Sequence, residues 1–165
     1  MPRLPEGDRI MLFKFRTVVH DWLNRLRWPG DRTLRFTAAR KLLREWHWPD
    51  PRAVTWAAIH REPESIIVRA GDEVLNGQLK RRDWVSTAAH EALHILAADM
   101  DDWVHRMIEC RPCEKFSEAE ATDAFRKLSE EFTDRVALAL TDTQMMLEEA
   151  RGIPDTGDPS CNLCW

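Results

Sequence analysis

The stretch DWVSTAAHEALHIL, residues 83–96, constrains this chain more than any other feature. Its apolar residues recur at intervals of three and four, which predicts an amphipathic helix over about 83–98. The buried stripe consists of Val85, Ala88, Ala89, Ala92, Leu93 and Leu96. Residues four apart share one face of a helix, so His90 and His94 are expected to project to the same side.

The spacing of the two histidines is suited to a metal ion. Both imidazoles can bind one zinc ion at about 2.0–2.1 Å per bond. Glu91 follows His90 at about 100° around the helix, from where its carboxylate can reach a water on that ion. Zinc lowers the pKa of such a water toward ~7, and a carboxylate can then take its proton. We therefore expect catalytic zinc with Glu91 as general base. The alternative is a surface helix that carries two solvated histidines.

The other segments predict an α+β domain that is mainly helical. Periodicity indicates helices at 9–27 and 33–46, so we expect the N-terminal helices to occupy 9–46, with Asp8 capping the first. Two β-branched runs predict a hairpin over 53–70, and residues 99–116 look less regular. SEAE at 117–120 has the form of a capping box and starts a helix over 117–150. The fold class predicted is a single domain over 1–150, with the hairpin packed on helix 83–98.

Composition excludes some partners. The chain has 165 residues and a formal net charge of −4, so no general attraction to nucleic acid is expected. We find no run of the ~20 apolar residues that a membrane span needs, so no membrane partner is expected. The start, MPRLPEGDR, lacks the layout of a secretion signal. We therefore expect a cytoplasmic location, where paired cysteines more often bind metal than form disulfides.

Catalytic zinc takes three protein ligands, and a resemblance to a known family selects the third. The hairpin VTWAAIHREPESIIVRA, the motif HEALHIL and the later EEFTDRVALAL follow in one order. This layout resembles small zincin-like metallopeptidases of the gluzincin type, including phage and bacterial ImmA/IrrE-like proteins. The resemblance covers about residues 33–140. It implies a zincin-like fold, hydrolysis of a protein or peptide substrate, and Glu130 as the third ligand.

Two other residues compete for this third position. Glu131 is adjacent to Glu130, and a shift of one residue in the alignment would select it. His105 lies eleven residues after His94, which resembles the SprT-like proteases. Those proteases usually have His-Gly at this point, whereas this chain has His105-Arg106. We rank Glu130 first, Glu131 second and His105 third. His105 or His60 could also stabilise the oxyanion that forms during hydrolysis.

All four cysteines fall into two Cys-x-x-Cys pairs, Cys110/Cys113 and Cys161/Cys164. Four thiolates make a closed tetrahedral site, so we expect a second, structural zinc that ties the tail 151–165 back to the domain. A helix over 117–150 spans ~50 Å, whereas residues 151–160 extend at most ~35 Å. The shared site is therefore expected to need a break or bend, for example near 141–143. The alternative roles for these cysteines are two independent redox pairs or a disulfide.

Three functions follow from these patterns. The first is a zinc-dependent peptidase, more plausibly regulatory than digestive because the chain is small and shows no secretion signal. The second is a binding module on an inactive zincin scaffold that keeps the structural four-cysteine zinc. The third is a thiol redox protein, but neither Cys-x-x-Cys pair opens a helix after a strand, as redox pairs normally do.

Overall fold

The computed structural model describes residues 4–30, 32–39, 56–62, 64–110 and 117–153. They form an α+β fold that is mainly helical, as the sequence predicts, with one small sheet. In chain order the elements are α1 Glu6–Arg25, β1 Thr33–Ala38, β2 Ala57–Arg61, β3 Ser65–Ala70, α2 Asp72–Leu75, α3 Arg81–Cys110 and α4 Glu118–Ala150. None of the described helices combines the length and the apolar character needed to cross a membrane.

The sheet has the strand order β1-β3-β2. β2 and β3 pair antiparallel with Ala57 opposite Ala70, which confirms the predicted hairpin. β1 pairs parallel with β3, with Thr33 opposite Ser65. The prediction of a helix over 33–46 is wrong for residues 33–38. Their side chains alternate between exposed and half-buried, a period of two that suits a strand. Residues 40–46 lie outside the described residues.

Helix α1 supplies one side of the core. Its buried residues recur with helical spacing: Phe15, Val18, Val19, Trp22 and Leu23. The ring of Phe15 meets that of Trp84 edge-on at a centroid distance of 5.3 Å. The helix starts at Glu6, earlier than predicted, and Asp8 is a buried residue of its first turn instead of the N-cap. Acidic residues in a first turn interact favourably with the positive end of the helix dipole.

Helix α3 is longer than the sequence analysis predicts. It runs over 30 residues to Cys110, so the irregular segment expected over 99–116 is wrong for residues 99–110. Glycine and proline are absent from 99–110, and Pro112 comes only afterwards. Arg61 of β2 also binds this part of the helix, through ion pairs with Asp101 and Asp102. A long-range contact thus supports a stretch whose local apolar pattern is weak.

Helix α4 begins at the predicted capping box. The Ser117 hydroxyl accepts a bond from the amide of Glu120 at 3.2 Å, and the Glu120 carboxylate accepts one from the amide of Ser117 at 2.8 Å. The helix packs along α3. Its buried positions are small or polar: Thr133, Ala137, Thr141, Gln144 and Glu148.

A buried polar contact anchors the far end of α4. Arg81 of α3 donates to Glu148 at 2.5 Å, and both side chains are almost fully buried. Gln144 donates to the other carboxylate oxygen of Glu148 at 2.7 Å. Arg25 of α1 donates to Gln144 at 3.2 Å. Hydrogen bonds through Gln144 and Glu148 therefore connect α1, α3 and α4.

The buried pair predicts a stability difference. We expect Glu148→Ala to lower the free energy of unfolding by about 3–5 kcal/mol, because Arg81 would keep a buried charge without its partner. The neighbouring pair of Arg82 and Asp142 is solvent-exposed, so Asp142→Ala should cause a much smaller loss. Urea unfolding followed by tryptophan fluorescence measures both. Equal losses in the two variants would contradict the anchoring role of Glu148.

Candidate metal centre

Two histidines of α3 and one glutamate of α4 converge on a single point. His90 and His94 lie one turn apart, and their Nε2 atoms are 2.9 Å from each other. Oε2 of Glu130 lies 3.4 Å from Nε2 of His90 and 3.3 Å from Nε2 of His94. Among the residues that the structure describes, these three form the one group of His, Cys, Asp and Glu whose ligand atoms lie within 4.8 Å of one another.

The three distances fit a tetrahedral ion. With bonds of about 2.0–2.1 Å, two ligand atoms of a tetrahedral zinc lie ~3.3 Å apart. The separations of 2.9, 3.3 and 3.4 Å are close to this value. Two imidazoles and a carboxylate are also a donor set that zinc accepts at catalytic sites. The residues present therefore fit a zinc ion with a fourth position left for water.

Asp134 orients the first histidine. It lies one turn after Glu130 on α4, and its Oδ1 accepts a hydrogen bond from Nδ1 of His90 at 2.9 Å. A carboxylate needs a proton on Nδ1, so in the neutral ring the lone pair of Nε2 faces the cluster. Such a partner fixes the ring and makes the other nitrogen a better ligand.

The electrostatics of the cluster favour a protonated histidine next to an ionised glutamate. Burial lowers the pKa of His90, but hydrogen bonds to Asp134 and Glu130 outweigh it and raise the pKa to about 10. Burial raises the pKa of Glu130, but hydrogen bonds from His90 and His94 outweigh it and lower the pKa to about 2. The same carboxylates that favour a proton on His90 would also favour a cation at this position.

Glu91 is buried beside the cluster. Only 2% of its surface is exposed, and its Oε2 has no hydrogen-bond partner among the described residues. Burial raises the pKa of this carboxyl, and the neighbouring His90 and His94 oppose that rise. A carboxylate with a raised pKa is a stronger base, as proton transfer near neutral pH requires.

A cavity of about 610 Å³ opens onto the three ligand atoms and Glu91. One of its walls is β2, from Ala57 to Arg61, and helices α3 and α4 form the others. The cavity is also lined by Ser86 and Ser129, in addition to the carboxylates of the metal centre. The cluster is thus accessible to a ligand of several heavy atoms.

The structure separates the candidates for the third ligand. Glu131 points into solvent with 67% of its side chain exposed, and it lies 3.8 Å from Arg135. His105 lines the cavity, but its ring packs edge-on against Phe125 and it does not join the cluster. His60 also lines the cavity, from an exposed position on β2. The geometry therefore favours Glu130.

The cysteine pairs lie mostly beyond the described residues. Cys110 is the last residue of α3, and Cys113, Cys161 and Cys164 fall outside the described ranges. Helix α4 continues without a break through 141–143. Since Glu148 sits beside Arg81, α4 ends near the start of α3, ~45 Å from Cys110. Three of the four cysteines lie outside the described residues, so the four-cysteine site stays a prediction.

Sequence reasoning assigned no role to Asp134 or Arg61. Asp134 follows Glu130 by four residues, so a shared helix face was a signal that could have identified it. Arg61 binds Asp101, Asp102 and the carbonyl of Ala98, which holds β2 against α3 beside the cavity. That contact crosses from strand to helix, and no local pattern reveals it.

Comparison of this chain with protein-family models, with curated proteins and with solved structures finds no match. The function is therefore argued from the geometry and chemistry of the site.

The raised pKa of His90 predicts pH-dependent zinc binding. Because this pKa is about 10, His90 must release a proton when zinc binds near neutral pH. Protons compete less strongly for His90 as the pH rises, so the apparent affinity for zinc should increase about tenfold per pH unit from about pH 6 to 8. The zinc affinity at each pH is measured by calorimetric titration of a variant in which the four cysteines are changed to serine. An affinity that does not change over this range would contradict the protonated state.

The two adjacent glutamates form a matched pair of variants. We expect Glu130→Gln to weaken zinc binding at least ~100-fold, and Asp134→Asn to weaken it by about 10–100-fold. Glu131→Gln should leave the affinity unchanged because its side chain faces solvent. Competition with a chelator gives all three values in the same cysteine-free background. A loss in Glu131→Gln that equals the loss in Glu130→Gln would refute the register of α4.

Proposed function

We propose that this chain is a zinc-dependent enzyme that hydrolyses peptide bonds. The observation that carries the proposal is the convergence of His90, His94 and Glu130 within 4.8 Å at the wall of a cavity that also contains Glu91. A structural zinc would be closed by four protein ligands, whereas this cluster offers three and opens to a cavity. That difference supports a catalytic role.

A bound zinc supplies Lewis acidity, which acidifies a water and polarises the substrate carbonyl. The chain supplies the proton transfers. Glu91 takes a proton from the attacking water, and the same carboxyl can then donate it to the departing amine. Asp134 keeps His90 in one orientation through these steps. The nitrogen leaves as a neutral amine and the carbonyl carbon gains the oxygen of water.

The position of β2 supports a peptide as substrate. It is an edge strand, and within the described part of the chain it pairs with β3 alone. Residues 57–61 line the cavity next to the cluster. An extended peptide can add to such an edge through main-chain hydrogen bonds, which brings a peptide carbonyl to the ligand atoms. We propose a protein or peptide substrate and a regulatory protease of the cytoplasm.

The burial of Glu91 argues against an inactive scaffold. A buried carboxylate with a free oxygen costs folding free energy, and its Oε2 has no partner among the described residues. A binding module would gain nothing from this cost. A hydrolase gains a base next to the water that it activates.

Replacement of Glu91 tests the catalytic role. We expect Glu91→Gln to bind zinc as the wild type does but to lose at least ~100-fold in kcat/KM, because the amide cannot accept the proton. Cleavage of a peptide library, read by mass spectrometry, measures the activity, and elemental analysis measures the zinc. Glu131→Gln is the control and should keep full activity. Undiminished cleavage by Glu91→Gln, or no cleavage by the zinc-loaded wild type, would overturn the proposal.

A further inference from the structure

Helix α4 carries large apolar side chains on its outer surface. Leu128 and Phe132 are each 67% exposed, and Met146 is 70% exposed. With 100° per residue, Leu128, Phe132, Ala139 and Met146 lie within about 40° of one another around the helix. We call these four residues the outer stripe. Exposed apolar side chains that share one side of a helix can mark an interaction site.

The outer stripe is far from both α3 and the metal centre. The buried residues of α4 are centred on Ala137, about 160° around the helix from the stripe. Packing against α3 therefore leaves the stripe uncovered. Glu130 and Asp134 belong to the inner side, so the stripe and the metal ligand use opposite faces of the same helix.

We propose that the outer stripe pairs with the same stripe of a second copy, with the two α4 helices antiparallel and a two-fold axis at Ala139. Phe132 and Met146 lie seven residues before and after Ala139. Rotation about this axis places Phe132 of one copy opposite Met146 of the other, a favourable aromatic–sulfur contact. The small side chain of Ala139 lets the helices approach at the axis. The pattern is self-complementary, as a two-fold interface requires.

Charges beside the outer stripe complement each other in the same arrangement. Arg135 lies four residues before Ala139 and Asp142 lies three after it, so the rotation brings them together across the interface. Asp142 already binds Arg82, and Arg135 lies 3.8 Å from Glu131. Arg135 is nevertheless 83% exposed and Asp142 47% exposed, so each can also meet a charge of the second copy. A parallel arrangement would instead place like charges beside each other. The four stripe residues of each copy, eight side chains in all, can together bury on the order of 1,000 Å², near the lower limit of specific interfaces.

Pairing does not depend on peptidase activity, because the stripe and the cavity lie on opposite sides of α4. Its failure would leave the metal centre as described. Loss of zinc from His90 or His94 variants would likewise leave the dimer intact.

Sedimentation velocity of the full chain tests the pairing. We expect wild type to be a dimer at about 100 μM, and Met146→Glu and Phe132→Glu to weaken dimerisation at least ~30-fold. Phe13→Glu is the matched control, since Phe13 is also 67% exposed but lies on α1. Circular dichroism checks that each variant is folded. A monomeric wild type, or a dimer that the two α4 variants leave intact, would overturn the proposal.

Cross-linking locates the axis independently. We expect Ala139→Cys to form a disulfide-linked dimer under mild oxidation, since two residues on the axis come within disulfide range. Leu138→Cys, turned 100° away, should cross-link no more than the wild type with its own cysteines. Equal cross-linking of the two variants would rule out an axis at Ala139.

Discussion

The antiparallel register of α4 on α3 brings Glu130 and Asp134 to the histidines of the metal centre. Near the start of α3 Arg81 binds Glu148, and near its middle His94 meets Glu130. A shift of one residue would turn α4 by about 100°, so that Glu130 would leave the cluster. The buried pair of Arg81 and Glu148 is expensive to desolvate, and it forms in the same register that places Glu130 at the two histidines.

The centre concentrates charge in a largely buried space. Glu91, Glu130 and Asp134 surround His90 and His94, and burial alone would favour the neutral forms of His90, Glu91 and Glu130. The hydrogen bonds from the two histidines hold the pKa of Glu130 at about 2, and those to Asp134 and Glu130 hold the pKa of His90 at about 10. In the metal-free protein this ion pair compensates the cost. A divalent cation would replace the proton and balance the same carboxylates, so the fold is suited to exchange one for the other.

Patterns that are local in sequence predicted much of the fold. The hairpin of β2 and β3, the capping box at Ser117 and the helix that carries His90 and His94 all depend on residues within one or two turns. The strand β1 was predicted as a helix because its partner, β3, lies some thirty residues later. The second half of α3 was missed because the contact of Arg61 with Asp101 and Asp102 supports it, and that contact is also non-local.

The side of α4 that faces the core could not be read from hydrophobicity. Its inner face is polar, with Thr141, Gln144 and Glu148 buried, whereas Phe132 and Met146 face outward. Apolar residues therefore do not mark the side of α4 that packs on α3, and periodicity alone left Glu130 and Glu131 undecided. The family-like pattern EEFTD selected Glu130, and the structure brings that residue to the histidines. Sequence reasoning reached the ligand through the order of motifs, while packing was needed to place it.

The central claim is that one zinc ion is held by these three side chains. The most direct measurement is an anomalous diffraction map, recorded at the zinc edge, from a crystal of the zinc-loaded protein. A zinc ion held by these side chains would give a peak about 2.0–2.1 Å from Nε2 of His90, Nε2 of His94 and Oε2 of Glu130. A map with zinc bound solely by cysteine sulfurs, and no peak among these three atoms, would contradict it.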